Sequence, residues 1–117
     1  MSSTFALRSA AVLGATGVAL GAFGAHGLKK TVSDSEKIQT WATAAHYQLF
    51  HAAALLALSA SARRHPYVAG LWTAGTAMFS GSIYCLVLNK EKFKYLGPVT
   101  PLGGILMIAG WLALLAP

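Results

Sequence analysis

Charged residues are scarce in this sequence. Its 117 residues include nine Lys and Arg and three Asp and Glu, which is 10% of the chain. Soluble globular domains carry roughly 25% charged residues, because charge covers the surface that faces water. This composition therefore excludes a water-soluble globular enzyme and a charge-rich disordered chain. The single cysteine, Cys85, also excludes a scaffold held by internal disulfides.

The few charged residues are confined to four short stretches that separate long uncharged runs. These runs contain 20, 25, 25 and 23 residues, and a helix needs about 20 apolar residues to cross a bilayer. The runs lack the period-two alternation of strands, and lipid leaves helices as the way to pair every backbone group. We predict an all-α integral membrane protein, an antiparallel four-helix bundle in one domain over 1–117. The expected spans are 9–28, 38–62, 66–88 and 98–116.

Basic residues are more frequent in the loops on one side of the expected bundle. Six lysines fall in the first and third loops, namely Lys29, Lys30, Lys37, Lys90, Lys92 and Lys94. The N-terminus and the second loop carry only Arg8, Arg63 and Arg64. The positive-inside rule then places loops one and three inside and both termini outside. Because the positive charges lie between apolar runs, we interpret them as topology signals and expect no nucleic acid partner.

Glycines in the first span form a stripe along one helical face. Their spacing of three, four and three residues keeps Gly14, Gly17, Gly21 and Gly24 on the same side. Helices in lipid associate through close packing, and glycine lets two backbones approach. We therefore predict a helix-packing face at these four positions and expect span one to be the central helix.

The second helix has a recognisable start signal. Ser33 followed by Glu36 is typical of a capping box, in which each side chain bonds the backbone of the other. This pattern predicts a helix that begins near Ser33, before the hydrocarbon. Trp41 then marks the place where the helix enters the membrane, with its ring at headgroup level.

Polar side chains are concentrated in the second span. Tyr47, Gln48 and His51 share one helical face, and a polar face in a membrane helix must point at another helix or at water. Spans one and three offer His26, Ser80, Ser82 and Tyr84. We predict that these groups form a polar cluster of hydrogen bonds between helices. A wet path for a small solute is the alternative.

Two kinds of chemistry are disfavoured. Haem ligation needs two histidines at one depth, whereas His51 lies about 15 Å deeper than His26 at 1.5 Å per residue. Catalysis by a hydrolase or a metal enzyme needs an oriented base or three ligands at metal spacing. His46 and His51 point away from each other, and the runs contain no acidic residue. We therefore expect no enzymatic activity, no cofactor and no metal.

Four segments together resemble a known family. They are Leu20–His26, Tyr47–His51, Met78–Leu86 and Thr100–Gly104, the last accompanied by Gly110 and Trp111. In this order they are similar to the transmembrane protein 256 family, small four-span membrane proteins of bacteria and eukaryotes. The resemblance implies a multi-pass membrane protein without an assigned reaction, and it adds Thr100 to the candidate cluster. For a eukaryotic source it implies the mitochondrial inner membrane, and for a bacterial source the plasma membrane.

With almost no mass outside the bilayer, such a protein must act through its lipid-facing sides and short loops. We therefore expect a small accessory or interaction component of a larger membrane assembly, with lipid and other membrane subunits as partners. The alternative is a channel or carrier that uses the polar face of spans one and two.

Overall fold

The structure is a computed structural model that describes residues 2–62 and 65–116. Over these residues the chain forms four α-helices, joined by short loops that contain single turns of 3₁₀ helix at Leu28–Lys30 and Lys94–Leu96. The helices are α1 (Ser2–His26), α2 (Ser35–Ser59), α3 (Val68–Leu88) and α4 (Val99–Ala113). The all-α fold is confirmed. Arg63 and Arg64, which entered the prediction of membrane orientation, lie outside the described residues.

The helices pack as two antiparallel pairs that meet along α2 and α3. In the first pair α1 lies along α2, and in the second α4 lies along α3. The Cα extents are 47 × 26 × 18 Å, so the arrangement is flat. Because α1 and α4 are the outer helices, the expectation that span one is the central helix is wrong. The central helices are α2 and α3, which carry the longer series of buried residues.

The α1 glycines all face α2. A Cβ added at Gly17 would approach Leu49 to 2.9 Å, and one added at Gly24 would overlap the ring of Trp41. Gly14 and Gly21 lie opposite Ala52 and Ala45, respectively. Small residues therefore meet on both sides of this contact, which lets the two helices approach closely.

The contact between α3 and α4 is closer still, because backbone meets backbone. A Cβ at Gly75 would lie 2.8 Å from the carbonyl oxygen of Gly103 and 2.8 Å from the amide nitrogen of Met107. A Cβ at Gly103 would in turn lie 2.7 Å from the carbonyl oxygen of Gly75. This reciprocal pair was not singled out in the sequence, since neither glycine belongs to a stripe.

The start of α2 differs from the expected capping box. The helix begins at Ser35, and Asp34 is the N-cap, with its carboxylate accepting a hydrogen bond of 2.9 Å from the amide of Glu36. A carboxylate at this position satisfies a free N–H group and also complements the helix dipole. The serine at position 33 thus lies just outside the cap that the sequence pattern assigned to it.

Among the described residues, three segments are long and apolar enough to cross a membrane. They are Ser3–His26, Val68–Leu88 and Lys94–Ala113. Helix α2 is 25 residues long but is absent from this set. Its length suffices for a span, whereas its amide, imidazole and hydroxyl side chains lower its hydropathy. The four-span arrangement therefore remains a prediction for α2.

Candidate functional site

Gln48 is the centre of a chain of hydrogen bonds that joins three helices. Its Nε2 donates to the carbonyl oxygen of Leu13, at 3.0 Å, and to the hydroxyl of Thr16, at 2.7 Å. Its Oε1 accepts a hydrogen bond of 2.7 Å from the hydroxyl of Tyr84. The hydroxyl of Thr16 in turn donates a hydrogen bond to the carbonyl oxygen of Val12. The buried amide therefore links α1, α2 and α3 and uses both of its donors.

His51 links α2 to α4 through one defined tautomer. Its Nδ1 lies 2.8 Å from the carbonyl oxygen of Tyr47, and its Nε2 lies 3.0 Å from the indole nitrogen of Trp111. A carbonyl can only accept, so Nδ1 carries the hydrogen. An indole N–H can only donate, so Nε2 is the acceptor. Both ring nitrogens of a neutral imidazole are thereby used, and a second proton would set two donors against each other.

The small hydroxyl side chains connect α3 to both of its neighbours. Ser80 donates a hydrogen bond of 2.7 Å to the carbonyl oxygen of Ala44 in α2. Ser82 donates to the carbonyl oxygen of Phe79 in its own helix and also pairs with the hydroxyl of Thr100 in α4. These contacts fix the axial register of α3 relative to α2 and α4.

Two members of the expected cluster lie apart from it. His26 is exposed at the last residue of α1, about 15 Å along the helix from Thr16, at 1.5 Å per residue. Tyr47 is 44% exposed, and its ring contacts Phe79 and His51 at the edge of the structure. The remaining polar residues lie in separate contacts between helices, namely Gln48 with Thr16 and Tyr84, His51 with Trp111, Ser80 with the Ala44 backbone and Ser82 with Thr100. His26 lies apart from these contacts, near the loop.

Trp41 is buried between helices. Its side chain is buried, and its indole nitrogen donates a hydrogen bond of 2.8 Å to the carbonyl oxygen of Leu20. The ring fits there because Gly24 has no side chain. Trp41 packs between Phe23 of α1 and Tyr84 of α3. Its expected depth at headgroup level stays a prediction.

Trp72 occupies a similar notch in the second helix pair. It is buried beside Gly110 of α4, where an added Cβ would overlap its ring. Within the part of the chain that the structure describes, its indole nitrogen has no hydrogen-bond partner, and neither do the hydroxyls of Thr73 and Thr76. Sequence reasoning missed this group and also missed Thr16, although Thr16 is a lone hydroxyl in the middle of the first span.

The contacts of this site can hold the helices in register. Among residues 2–62 and 65–116, no three His, Cys, Asp or Glu side chains lie close enough together to hold a metal ion. Gln48, His51 and Ser80 are hydrogen-bonded to neighbouring helices, whereas the indole nitrogen of Trp72, which lies beside His51, has no partner among the described residues. Hydrogen bonds of this kind contribute about 0.6 kcal/mol each in membrane proteins.

A family model described as "Protein of unknown function (DUF423)" matches residues 20–104, which include most of the polar cluster. The chain belongs to the DUF423 family. The transmembrane protein 256 family corresponds to DUF423, so the resemblance inferred from the motifs is confirmed. Thr16 and Trp111, two partners in the cluster, lie outside the matched segment.

Curated DUF423 relatives cover nearly the whole chain. The UPF0382 membrane protein of Schizosaccharomyces pombe is 41% identical over 91% of this chain and 94% of its own length. The UPF0382 inner membrane protein YgdD of Escherichia coli is 41% identical over 98% of this chain and 89% of its own. A Staphylococcus aureus relative is 44% identical over 84% of this chain and 81% of its own. No solved structure matches the chain. The protein is therefore an integral, multi-pass membrane protein.

Proposed function

We propose that this protein is a non-catalytic component of a larger membrane assembly, in which its outer helices contact other membrane subunits. All four helices, α2 included, cross the bilayer in this proposal. For a eukaryotic source we place the protein in the mitochondrial inner membrane. The Escherichia coli relative is named an inner membrane protein.

The observation that carries the proposal is the internal pairing of the polar cluster. Gln48 uses both donors and its carbonyl oxygen, and His51 uses both ring nitrogens. Polar groups in a membrane interior are costly unless they have a function or a partner. Here the partners are other helices of the same chain, so the cluster is explained by assembly of the fold, without a substrate.

The surfaces left for contact are the outer faces of α1 and α4. Val12 and Val18 on α1 are each 62% exposed, and Ile105 and Ile108 on α4 are similarly exposed. These two faces lie on opposite edges of a flat molecule. A protein of this shape can contact one neighbour through each edge while the polar cluster holds the middle together.

Photocrosslinking from these faces tests the proposal in native membranes. A benzophenone amino acid is introduced singly at Val12, Val18, Ile105 and Ile108 of the full chain. The matched control is Leu55, a fully buried position from which the probe can reach only the chain itself. We expect at least one outer position, and not Leu55, to give a discrete adduct with another membrane protein that survives stringent washing.

Two results would contradict the proposal. One is that all four outer positions give only lipid adducts, as expected of an isolated monomer. The other is that the adducts have only twice the mass of this chain, as expected of a homodimer. Mild-detergent purification of the tagged wild type then serves as an independent check, because the same subunit must co-purify in a fixed ratio.

A carrier is the second candidate, and one observation favours it. The buried hydroxyl of Thr76 and the indole N–H of Trp72 lack partners among the described residues, and Trp72 lies beside His51. Unpaired polar groups in the middle of a bundle can border a path for a small polar solute.

Thiol labelling separates the carrier from the assembly component. In a Cys85→Ser background, Thr76→Cys is treated with a membrane-impermeant thiol reagent in nanodiscs, where both membrane faces are open. Ser33→Cys in the first loop is the exposed control. Labelling of both cysteines at similar rates supports a carrier with a water-filled path. Labelling of the loop cysteine alone supports the assembly component.

A further inference from the structure

A cleft of about 410 Å³ opens at the end of the molecule that carries the first and third loops. It lies between the start of α2, the end of α3 and the segment that leads into α4. Its apolar wall consists of Ile83, Leu86 and Val87 of α3. Its basic residues are Lys37, Lys90 and Lys94.

The three lysines come from three different segments of the chain. Lys37 is in the first turns of α2, Lys90 follows α3, and Lys94 begins the 3₁₀ turn before α4. All three are exposed, and none forms an ion pair with any described residue. The ammonium of Lys94 lies 5.5 Å from the ring of Tyr95, a contact that leaves its hydrogens available. The fold thus collects three lysine side chains around one opening, with the acidic residues Glu36 and Glu91 next to them in the sequence.

The apolar wall sets this opening apart from a merely basic surface. Ile83 and Val87 are buried, and together with Leu86 they lie on α3, a membrane-span candidate. The cleft therefore has charge at the loop end and hydrocarbon along the helix. A phospholipid has the same order of groups, with an anionic headgroup at the interface and acyl chains in the membrane.

We propose that this cleft binds a phospholipid with an anionic headgroup. The phosphate lies among the ammonium groups of Lys37, Lys90 and Lys94, and one acyl chain lies along the α3 wall. Free phosphate would use the lysines but not the wall, so the amphipathic lining favours the lipid. The positive-inside rule predicts that this end of the molecule faces inside, and basic pockets on the matrix or cytoplasmic side of membrane proteins bind anionic lipid headgroups.

The test uses the full chain in nanodiscs made of equal parts of phosphatidylcholine and phosphatidylglycerol. Native mass spectrometry measures the ratio of the two lipids that remain bound after release from the disc. The cleft variant carries Lys37→Gln, Lys90→Gln and Lys94→Gln. The matched control carries Lys29→Gln, Lys30→Gln and Lys92→Gln, which removes the same charge from the same end of the molecule but outside the cleft.

We expect the wild type and the control to retain phosphatidylglycerol preferentially. The cleft variant should lose that preference by at least about fivefold, the contribution of one lysine near an anionic surface. An equal loss in both variants would mean diffuse attraction to the whole basic end and would overturn the proposal. So would equal retention of the two lipids by the wild type.

A second variant examines the apolar wall while every lysine is kept. Leu86→Trp places a larger ring in the cleft and should reduce retention of phosphatidylglycerol, because the acyl chain loses its place. Inorganic phosphate, added to the wild type as a competitor, should not displace the lipid. Unchanged retention in Leu86→Trp together with full displacement by phosphate would show an ion site and contradict the lipid assignment. Far-UV circular dichroism confirms that each variant keeps its helix content.

Discussion

The close crossing of α3 and α4 makes Gly75 the position where the smallest change should have a large effect. In Gly75→Ala the new methyl group would lie 2.8 Å from both the Gly103 carbonyl oxygen and the Met107 amide nitrogen, whereas ordinary contact begins at 3.4 Å. Both neighbours are backbone atoms and cannot rotate away as a side chain would. The helices must therefore move apart along the whole contact and lose dispersion energy there.

The magnitude follows from two opposing terms. Overpacking of a well-packed contact costs about 1–3 kcal/mol. Replacing glycine by alanine within a helix returns about 0.8–1.0 kcal/mol of helix propensity in water. Gly81, on the same helix, is the control, because an added Cβ there meets nothing within 4 Å. Gly81→Ala changes only the helix propensity. The difference in unfolding free energy between the two variants is therefore the packing cost, about 1–3 kcal/mol.

Reversible unfolding in detergent micelles measures this difference. Each full-length variant is titrated with a denaturing detergent, and helix content is followed by far-UV circular dichroism. Gly75→Ala should unfold at a lower denaturant fraction than Gly81→Ala. If the two variants have the same free energy of unfolding, the backbone contact between α3 and α4 does not stabilise the fold and this reasoning fails. Gly103→Ala should reproduce the loss, and the double variant should cost less than the sum, because both changes push apart the same contact.

Three further predictions concern the hydrogen bonds. Tyr84→Phe should lower the free energy of unfolding by about 0.6 kcal/mol, whereas Tyr95→Phe, on an 82% exposed side chain, should leave it unchanged; equal effects would contradict the bond to the buried amide. In ¹⁵N spectra of labelled protein, His51 should show the neutral tautomer with hydrogen on Nδ1, and a signal from the opposite tautomer would refute the assigned pairing. Asp34→Ala should lower the free energy of unfolding by about 0.5–2 kcal/mol, because an N-cap is lost, and Ser33→Ala should lower it less. A larger loss in Ser33→Ala would show that Ser33, and not Asp34, is the N-cap.

The helices could be predicted because each is marked by a property of a whole segment, the absence of charge over 20 or more residues. Such a segment is recognised even when its exact boundaries are uncertain, and each of the four helices lies mainly in one of the four runs. The α1 glycines also repeat with a helical period, so their common face could be read from spacing alone. Gly75 and Gly103 carry no such signal, because each is defined only by its partner 28 residues away.

The candidate site was harder to predict because helical spacing shows on which face of its helix a residue lies but not which residue of another helix it contacts. Gln48 and His51 were recognised as inward-facing, whereas Thr16 and Trp111 become visible only when α1 and α4 are in place. Trp41 fits the pattern of an interface aromatic by its place near the end of a run. Its burial depends on the notch at Gly24 in another helix, which is a tertiary feature.

The polarity of α2 has a consequence for biogenesis. The transfer of α2 by itself from the translocon into lipid has little favourable free energy, because its amide and imidazole would be unpaired in hydrocarbon. Helix α1, which is synthesised before α2, already provides the acceptors for Gln48, so we expect the two to enter the bilayer as a helical hairpin. The donor for His51 is Trp111, which lies 60 residues further along the chain and is therefore synthesised later. Nascent chains truncated before that residue would keep an unmatched imidazole in the membrane, a mark by which quality-control proteases can distinguish them from finished protein.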